Sequence, residues 1–470
     1  MNNKLHTTKY VISDLISATT AWTLFYIYRK TFIESKIFGD FPLVFDNNYY
    51  IGVFAIPILW LFAYYITGYY RDIYRKSRLI ELWQTFTLSV IGVLIIFFIL
   101  ILDDLINTYK DYYMSLFYLF TLHFFLTYIP RVIITSLTVR RIRNRKIGFS
   151  TLLVGSNGEA LQTYMEFENQ KKSIGNKFVG FINIYDNKNE ELEKYIPQLG
   201  KFDELDTIIK EQEIEEVIIA IESSEEQEVN RILNKLQRTN VIIKVVPSMF
   251  DIVTGIADIS ALYGLPLIKI PNHLMTAVQE NIKRFFDVAA SLSAIIVLLP
   301  VYIGTAIAVK LSSKGPIIYA QERIGKNGKP FKIYKFRSMY VGAEKSGPSL
   351  SSDGDNRITK VGLFMRKTRL DEIPQFFNVL FGTMSLVGPR PERQFYIDQI
   401  VEKAPYYLKL QKVKPGITSW GQVKYGYAEN VDEMVERLKY DIVYLQNMSL
   451  YADFKILIYT VKTVLQGTGK

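Results

Sequence analysis

The chain has 470 residues, 49% of them hydrophobic, and it contains no cysteine and only three histidines. These counts exclude a disulfide framework, a thiolate-bound zinc site, a cysteine nucleophile and a histidine-rich metal site. Any catalysis must therefore use carboxylates, lysine or arginine, hydroxyl groups, or a cation bound by oxygen atoms.

The formal net charge of +10 is distributed unevenly along the chain. Residues 1–149 carry +7, residues 150–270 carry −8, and residues 271–470 carry +11. The chain is therefore expected to consist of three unlike parts, of which the first and last are basic.

Four apolar stretches predict a four-helix transmembrane region within residues 1–147, because a helix needs about 20 residues to cross a bilayer. The stretches are Tyr10–Tyr28, Tyr50–Tyr70, Leu82–Leu102 and Tyr112–Pro130. Asp14 and His123 are polar exceptions within them. Either could line a pathway, but we predict interhelical hydrogen bonds, because no other charged residue accompanies them in the stretches.

The lysine and arginine content of the short loops predicts the orientation of this region. Four basic residues lie between the second and third stretches and six lie within residues 131–146, whereas Lys110 is alone between the third and fourth. Both ends of the region and everything after residue 131 are therefore expected in the cytoplasm. The first loop, with Arg29, Lys30 and Lys36, fits this orientation less well.

Residues 148–272 predict a Rossmann-like α/β domain, because short β-branched runs alternate with amphipathic stretches. The predicted strands are Ser150–Val154, Phe178–Ile182, Val217–Ile221 and Val241–Val246, and the predicted helices are Glu159–Glu168, Asp203–Gln212 and Glu225–Arg238.

A glycine turn, Gly155-Ser-Asn-Gly158, follows the first predicted strand of this domain. Gly155 and Gly158 are candidate cofactor-binding residues, since backbone amides at a helix N-terminus can bind phosphate. The alternative is a scaffold that uses Gly155 only for its turn. The Tyr-x-x-x-Lys pair of short-chain sugar-nucleotide enzymes is absent here, as Glu168 follows Tyr164 at the lysine position.

Residues 288–309 form an uncharged stretch that is interrupted by Pro300 and has basic residues on both sides. Read alone, the stretch could be a fifth membrane span. Proline removes a backbone hydrogen bond and kinks a helix, and basic flanks favour the cytoplasmic face on both sides. We therefore predict a re-entrant helix over residues 285–311 that enters the membrane, breaks at Pro300 and returns.

A hairpin with a turn at Gly328 is predicted next, and residues 283–345 hold 11 basic and 3 acidic side chains. Beside a membrane helix, lipid phosphates and a small anionic substrate are better targets for this segment than nucleic acid. Gln321, Arg323 and Arg337 are candidate substrate-binding residues. The alternative is a solvated surface near the membrane.

The adjacent carboxylates Asp371 and Glu372 precede Pro374 and an amphipathic run. Taken alone, they are most simply a helix cap and an acidic residue of its first turn. Phosphoryl transfer, however, requires a carboxylate nucleophile or magnesium ligand among cations. The surrounding cations are Lys335, Arg366, Arg369 and Arg390.

With these motifs, the chain resembles the bacterial polyprenyl-phosphate sugar-phosphate transferases, the monotopic phosphoglycosyl transferases, in their large form. The resemblance is most specific in residues 283–339, 366–392 and 413–423. It implies an α+β catalytic domain over residues 280–470 that a re-entrant helix anchors to the cytoplasmic face of the bacterial inner membrane, in a multi-pass protein.

The resemblance also implies the reaction and the roles of individual residues. A sugar 1-phosphate passes from a UDP-sugar to undecaprenyl phosphate, with release of UMP, as the first membrane step of polysaccharide assembly. Asp371 matches the nucleophile, which forms a covalent phosphosugar intermediate. Glu372 and Asp371 match the ligands of Mg²⁺, and the phosphate-binding positions correspond to Lys335, Arg366 and Arg390.

The expected partners are a UDP-sugar, undecaprenyl phosphate and membrane lipid. A homodimer and polysaccharide-assembly proteins are further candidates, and no nucleic acid is expected. One position departs from the family pattern, because Leu299 replaces the serine that often precedes the proline of the re-entrant helix.

Two other hypotheses for the function stay open. One is an NAD-dependent sugar-nucleotide-modifying enzyme, and the other is a non-catalytic scaffold for polysaccharide assembly.

Overall fold

The computed structural model describes most of the chain in two compact units. The described residues are 3–35, 43–101, 109–155, 158–184, 190–221, 226–236, 239, 241–247, 267–270, 274–343, 355–426 and 428–465. One unit comprises Met1–Phe149 and Glu166–Lys177, and the other comprises Ser150–Met165 and Phe178–Lys470.

The first unit contains a long helix at each of the four predicted membrane stretches. These helices are α1 (Asn3–Tyr28), α2 (Asn47–Ile66), α3 (Arg78–Ile96) and α4 (Tyr109–Arg143). Among the described residues, α2, α3 and α4 are long and apolar enough to cross a membrane, whereas α1 does not meet that criterion. The protein is therefore a membrane protein, and the count of four spans stays a prediction.

Asp14 and His123 form the interhelical contacts that we predicted. The His123 ring nitrogen Nε2 lies 2.9 Å from the Tyr64 hydroxyl, which joins α4 to α2. Asp14 on α1 accepts a hydrogen bond from Arg131 Nε on α4 at 2.7 Å, and both side chains are at most 1% exposed. The charged partner of Asp14 was not predicted, because Arg131 lies one residue beyond the fourth apolar stretch, on the helix α4 that continues past it.

A six-stranded sheet forms the centre of the acidic region. Its strands are β1 (Phe149–Val154), β2 (Asn176–Asn183), β3 (Gln198–Lys201), β4 (Glu216–Ile219), β5 (Ile242–Val245) and β6 (Ile268–Ile270). The strand order is β3-β2-β1-β4-β5-β6, which is also the order of doubly wound sheets. The pairs β2–β3, β1–β4 and β4–β5 are parallel, and β6 is antiparallel to β5.

The helices of this region are α5 (Gly158–Glu168), α6 (Glu190–Glu193), α7 (Leu205–Glu211) and α8 (Glu226–Leu236). Three of them confirm predicted helices, and the predicted α/β class is confirmed as well. β3 and β6 were not predicted, because four mostly polar residues and a three-residue segment lack the apolar run that identifies a buried strand.

The uncharged stretch around Pro300 forms two helices, α9 (Ala277–Val297) and α10 (Leu299–Ser312). They are bent by 63° relative to each other, and Pro300 lies in the first turn of α10. The predicted break at Pro300 is therefore confirmed. Large apolar side chains near the bend, such as Val297, Leu299 and Ile303, are more than half exposed within the protein.

The N-terminal half of α9 carries three polar residues that hold the C-terminal region in place. Lys283 Nζ donates to the carbonyl of Val387 at 2.9 Å. Arg284 donates to the carbonyls of two residues near the end of a following helix, Gln375–Phe381, and Asp287 accepts from the Leu386 amide at 3.0 Å. The N-terminal half of α9 is thus polar and binds the backbone of residues 379–387, whereas its C-terminal half is apolar.

The remaining elements form a small α+β arrangement. They are β7 (Ile318–Ile324), β8 (Pro330–Phe336), α11 (Lys360–Lys367), α12 (Gln375–Phe381), β9 (Ser385–Val387), α13 (Gln394–Lys403), β10 (Gly416–Thr418), α14 (Trp420–Lys424), α15 (Val431–Gln446) and α16 (Leu450–Leu465). β7 and β8 form the predicted antiparallel hairpin, with Gly328 at φ +70° in its turn. β9 and β10 form a parallel pair.

We predict that replacing Asp14 by asparagine destabilises the protein by about 3–5 kcal/mol, because it leaves the Arg131 charge buried and uncompensated. Denaturation in mixed micelles measures this change. Glu168→Gln is the control, since it breaks the more exposed Arg145–Glu168 pair and should cost at most about 1 kcal/mol. Equal effects of the two variants would contradict the structural importance of the Asp14–Arg131 pair.

The predicted orientation can be tested by single cysteines, because the natural chain has none. A membrane-impermeant maleimide should label Lys110→Cys in intact cells. It should label Glu193→Cys and Lys329→Cys, which lie before and after the bent helix pair, only after permeabilisation. Labelling of Lys329→Cys in intact cells would show that the bent pair crosses the membrane.

Candidate functional site

The carboxylate pair lies in a short helical turn, Leu370–Glu372, between α11 and α12. Asp371 and Glu372 are each only 8% exposed. The residue before the turn, Arg369, has a φ of +58°, a left-handed conformation that costs a non-glycine residue about 1 kcal/mol or more. Arg369 is the N-cap of this turn and Pro374 the N-cap of α12, so neither carboxylate is an N-cap, although both are acidic residues of the first turn of Leu370–Glu372.

Glu372 is held by cations at both carboxylate oxygens. Lys335 Nζ lies 2.6 Å from Oε1, and Arg369 Nη1 lies 3.2 Å from Oε2. Arg390 Nη1 is 4.0 Å from Oε1. Burial alone would raise the pKa of Glu372, but the charges of Lys335, Arg390 and Arg369 hold that pKa well below its usual range.

Asp371 lies beside this ion-pair cluster and has the opposite electrostatic character. Burial and the negative charge of Glu372 raise the pKa of the Asp371 carboxyl above its usual range, although Lys335 and Arg366 act in the other direction. The two carboxylates are therefore electrostatically distinct. Glu372 is the firmly ionised member that binds cations, and Asp371 is the more basic member.

Arg366 and Arg390, two of the predicted phosphate-binding residues, lie in this cluster with Lys335. Arg366 Nε donates to the Ser338 hydroxyl at 3.0 Å, and its charge acts on Asp371. Arg390 lies between two carboxylates, because its Nε is also 4.0 Å from Glu392 Oε1. The structure thus brings together the carboxylate pair and the three cations that the resemblance assigns to phosphate.

Arg337 is predicted to bind substrate, but the structure places it elsewhere. Its guanidinium is buried and donates to the carbonyls of Ser313 and Lys314 at 2.7 and 3.1 Å, just after α10. These contacts fix the end of the bent helix pair. They give Arg337 a structural role, and its predicted contact with substrate stays a prediction.

Gln321 and Arg323 contact each other on strand β7. The Gln321 side-chain oxygen accepts from Arg323 Nε and Nη2 at 3.1 and 2.8 Å. Arg323 Nη1 donates to Glu392 at 3.3 Å and to the carbonyl of Pro391 at 3.2 Å. Arg323 therefore binds the segment directly after Arg390. Direct contacts of Gln321 and Arg323 with substrate stay predictions.

The predicted magnesium site has two acidic ligands. Among the described residues, no group of three or more acidic or histidine side chains is arranged to hold a metal ion. Mg²⁺ is commonly bound through one or two carboxylates together with water and substrate phosphates. Asp371 and Glu372 fit that ligand set, although Lys335 already contacts Glu372 Oε1 at 2.6 Å.

The glycine turn of the α/β sheet has a structural explanation. Gly155 has a φ of +143°, and a Cβ atom there would lie 2.1 Å from the carbonyl oxygen of Ala220. The close approach of two backbones therefore requires glycine at this position whether or not a ligand binds. Around Gly158 a Cβ atom would meet nothing within 4 Å. Residues 156 and 157 lie outside the described residues, and the predicted cofactor site stays a prediction.

Two further residues at the site were not predicted. Glu392 and Arg437 are both buried, and Arg437 Nη2 donates to Glu392 Oε1 at 2.7 Å. The position of Glu392 directly after Pro-Arg-Pro was the available signal in the sequence. Arg437 lies on an amphipathic helix 45 residues away, where nothing local distinguishes it from a surface arginine.

Comparison with known proteins gives two matching family profiles. A profile described as "Bacterial sugar transferase" matches residues 278–467 and therefore includes the whole carboxylate cluster. A profile described as "CoA-binding domain" matches residues 65–247.

Three relatives illustrate the similarity. The chain is 43% identical over 196 residues to a UDP-N-acetylgalactosamine-undecaprenyl-phosphate N-acetylgalactosaminephosphotransferase of Aeromonas hydrophila, which covers 42% of this chain and 46% of the relative. It is 29% identical to a UDP-glucose:undecaprenyl-phosphate glucose-1-phosphate transferase of Klebsiella pneumoniae, over 90% of this chain and 91% of the relative. It is 30% identical to a UDP-galactose-lipid carrier transferase of Erwinia amylovora, over 70% and 72%.

Proposed function

The chain belongs to the bacterial sugar transferase family, the polyprenyl-phosphate sugar-1-phosphate transferases, and on that premise we propose that it transfers a sugar 1-phosphate from a UDP-sugar to undecaprenyl phosphate and releases UMP. The observation that carries this proposal is the buried pair Asp371 and Glu372 among Lys335, Arg366 and Arg390. The names of the relatives include glucose, galactose and N-acetylgalactosamine, so the sugar is left open.

We assign the nucleophile to Asp371 on electrostatic grounds. Glu372 is held by ion pairs at both oxygens, which lowers its electron-donating power. Burial and the neighbouring charge raise the pKa of Asp371, and a more basic oxygen is a better nucleophile once it is deprotonated. Asp371 thus combines basicity with a position inside a cluster of cations.

The proposed reaction has two displacement steps at the same phosphorus. In the first, an Asp371 oxygen forms a bond to the phosphorus that bears the sugar, and the bond to the bridging oxygen breaks so that UMP leaves. In the second, a phosphate oxygen of undecaprenyl phosphate attacks that phosphorus and frees the Asp371 carboxylate. The product is undecaprenyl diphosphate sugar.

The cluster of cations is suited to a two-step transfer between two anionic substrates. Both substrates are anionic, so they repel each other, and a two-step route lets UMP leave before the lipid phosphate arrives. Lys335, Arg366 and Arg390 would bind phosphoryl oxygens and stabilise the charge that is redistributed in each transition state. A rigid array that is already in place does this without reorganising during the reaction.

Mg²⁺ is the proposed cofactor, and Asp371 and Glu372 would hold it. When bound, the ion would neutralise charge on the diphosphate of the donor. The residues of the chain have separate tasks, because Glu372 orders the cations around it while Asp371 supplies the reacting oxygen.

The bent helix pair α9–α10 supports a proposed location at the membrane. We propose that it is re-entrant in the bacterial inner membrane, with its exposed apolar side chains in lipid and the site on the cytoplasmic face. The contacts of Lys283, Arg284 and Asp287 support this arrangement, since they tie the membrane helix to the segments beside the site. The homodimer and the polysaccharide-assembly partners stay predictions.

Purified protein with Mg²⁺ and undecaprenyl phosphate should release UMP from at least one member of a panel of UDP-sugars. The proposed chemistry requires UMP as the leaving group, which a coupled nucleotide assay detects. Release of UDP would contradict the proposed bond cleavage. Conversion of the sugar nucleotide without UMP release would favour the nucleotide-modifying alternative.

Asp371→Asn should reduce UMP release by about 10³-fold or more, because an amide cannot replace the attacking carboxylate. It should also abolish exchange of labelled UMP into UDP-sugar in the absence of acceptor. Asp398→Asn, an exposed residue on α13, is the matched control and should leave both rates within about twofold of the natural protein. Retained exchange in the Asp371 variant would contradict the assignment.

Arg369→Gly should lower UMP release while changing the free energy of unfolding by less than about 1 kcal/mol. Glycine relieves the left-handed backbone conformation, which offsets the lost contact with Glu372. Asn327→Gly is the control, since Asn327 has a φ of +59° in the hairpin turn, and it should retain full activity. A large loss of stability with normal activity in the Arg369 variant would contradict a functional reason for the strained conformation.

A further inference from the structure

We propose that Glu392 is a positioning residue that holds Arg390 in the place where the donor's diphosphate binds. This inference rests on the proposed function and names a residue that neither the resemblance nor the comparisons assign. Glu392 is a buried carboxylate with three arginines within 4.0 Å.

Glu392 is 3% exposed and lies directly after Pro-Arg-Pro. Its Oε1 accepts a hydrogen bond from Arg437 Nη2 at 2.7 Å, and its Oε2 accepts one from Arg323 Nη1 at 3.3 Å. Arg390 Nε lies 4.0 Å from Oε1. A carboxylate this deeply buried requires such partners, because an unpaired charge is costly inside a protein.

The three arginines come from three different segments of the chain. Arg323 lies on β7, Arg390 lies in the loop after β9, and Arg437 lies on α15. A backbone hydrogen bond also links β7 to this loop, since the Ile324 amide donates to the Glu392 carbonyl at 3.0 Å. Glu392 therefore fixes the loop that carries Arg390 against both the hairpin and a helix.

Arg390 has a carboxylate at each end of its guanidinium group. Nη1 lies 4.0 Å from Glu372, and Nε lies 4.0 Å from Glu392. Both distances exceed a hydrogen bond, so neither carboxylate binds Arg390 tightly. The guanidinium is therefore placed between two carboxylates that come from separate segments of the chain.

The charges of the neighbours explain why Glu392 orients Arg390 without neutralising it. Arg323 and Arg437 make the shorter contacts with Glu392, and Lys335 and Arg369 make the shorter contacts with Glu372. Each carboxylate is thus largely compensated by other cations before Arg390 is considered. Glu392 therefore acts on Arg390 as an orienting charge beside Nε.

The test is a double-mutant cycle with Glu392→Gln, Arg390→Gln and the combined variant. We expect Glu392→Gln to lower kcat/KM for UMP release by ~10-fold to ~100-fold, the scale of a small misplacement of a catalytic group, with a higher KM for the UDP-sugar. In the Arg390→Gln background the same change should cost less than about threefold, because its target is gone. Glu216→Gln in the α/β sheet, a buried carboxylate paired with Lys244 at 2.7 Å, is the control and should not alter KM.

Losses that multiply in the combined variant would overturn the proposal, since Glu392 would then act only through the stability of the fold. An unchanged KM and kcat in Glu392→Gln would overturn it as well. If Glu392→Gln does not fold, Glu392→Asp in the same cycle keeps the charge and retracts the carboxylate, with the same two expectations. Failure of the proposed function is distinguishable, because the natural protein would then release no UMP.

Discussion

A carboxylate that leaves water needs charged partners, and Glu372 has three of them from separate segments of the chain. Lys335 lies on the hairpin, Arg369 is the residue with a left-handed backbone just before the helical turn, and Arg390 lies in a loop between two prolines. Together the three cations compensate a buried charge that would be costly without them. The hairpin, the turn and the loop therefore have to meet at this point, and the rest of the C-terminal region holds them there.

The same requirement explains the neighbouring contacts. Glu392 receives Arg323 and Arg437, and these two pairs fasten the loop of Arg390 to β7 and α15. On the other side, Lys283 and Asp287 of α9 bind the backbone of β9, immediately before that loop. The polar half of α9 thus holds the start of the Arg390 loop, and Arg323 and Arg437 hold its end. In the proposed re-entrant arrangement, membrane attachment and site geometry are coupled through these hydrogen bonds.

Much of the fold could be predicted from local sequence patterns. Hydrophobic runs identified the long helices and four of the six strands, and a single proline with basic flanks identified the bend between α9 and α10. β3 and β6 were missed because they are strands only through their pairing with β2 and β5. No local sequence pattern shows such pairing. Arg131 was missed as the partner of Asp14 because a polar contact across a bundle depends on the register between two distant helices.

The candidate site could be predicted only in part. Composition excluded thiol and histidine-cluster chemistry, and charge density pointed to Asp371, Glu372 and the cations around them. The role of Arg337 could not be read from its charge, because its burial beside the end of α10 decides what it contacts. Glu392 has a recognisable neighbour motif, but its three arginines lie up to 69 residues away in sequence.

During turnover, Asp371 is proposed to become covalently bound to the sugar phosphate. Intact-protein mass spectrometry after incubation with Mg²⁺ and the active UDP-sugar, without undecaprenyl phosphate, tests it directly. We expect a mass increase of one sugar phosphate that maps to the peptide containing Asp371 and disappears when the acceptor is added. Rapid turnover with acceptor but no adduct under any quench condition, or an adduct on another residue, would contradict it.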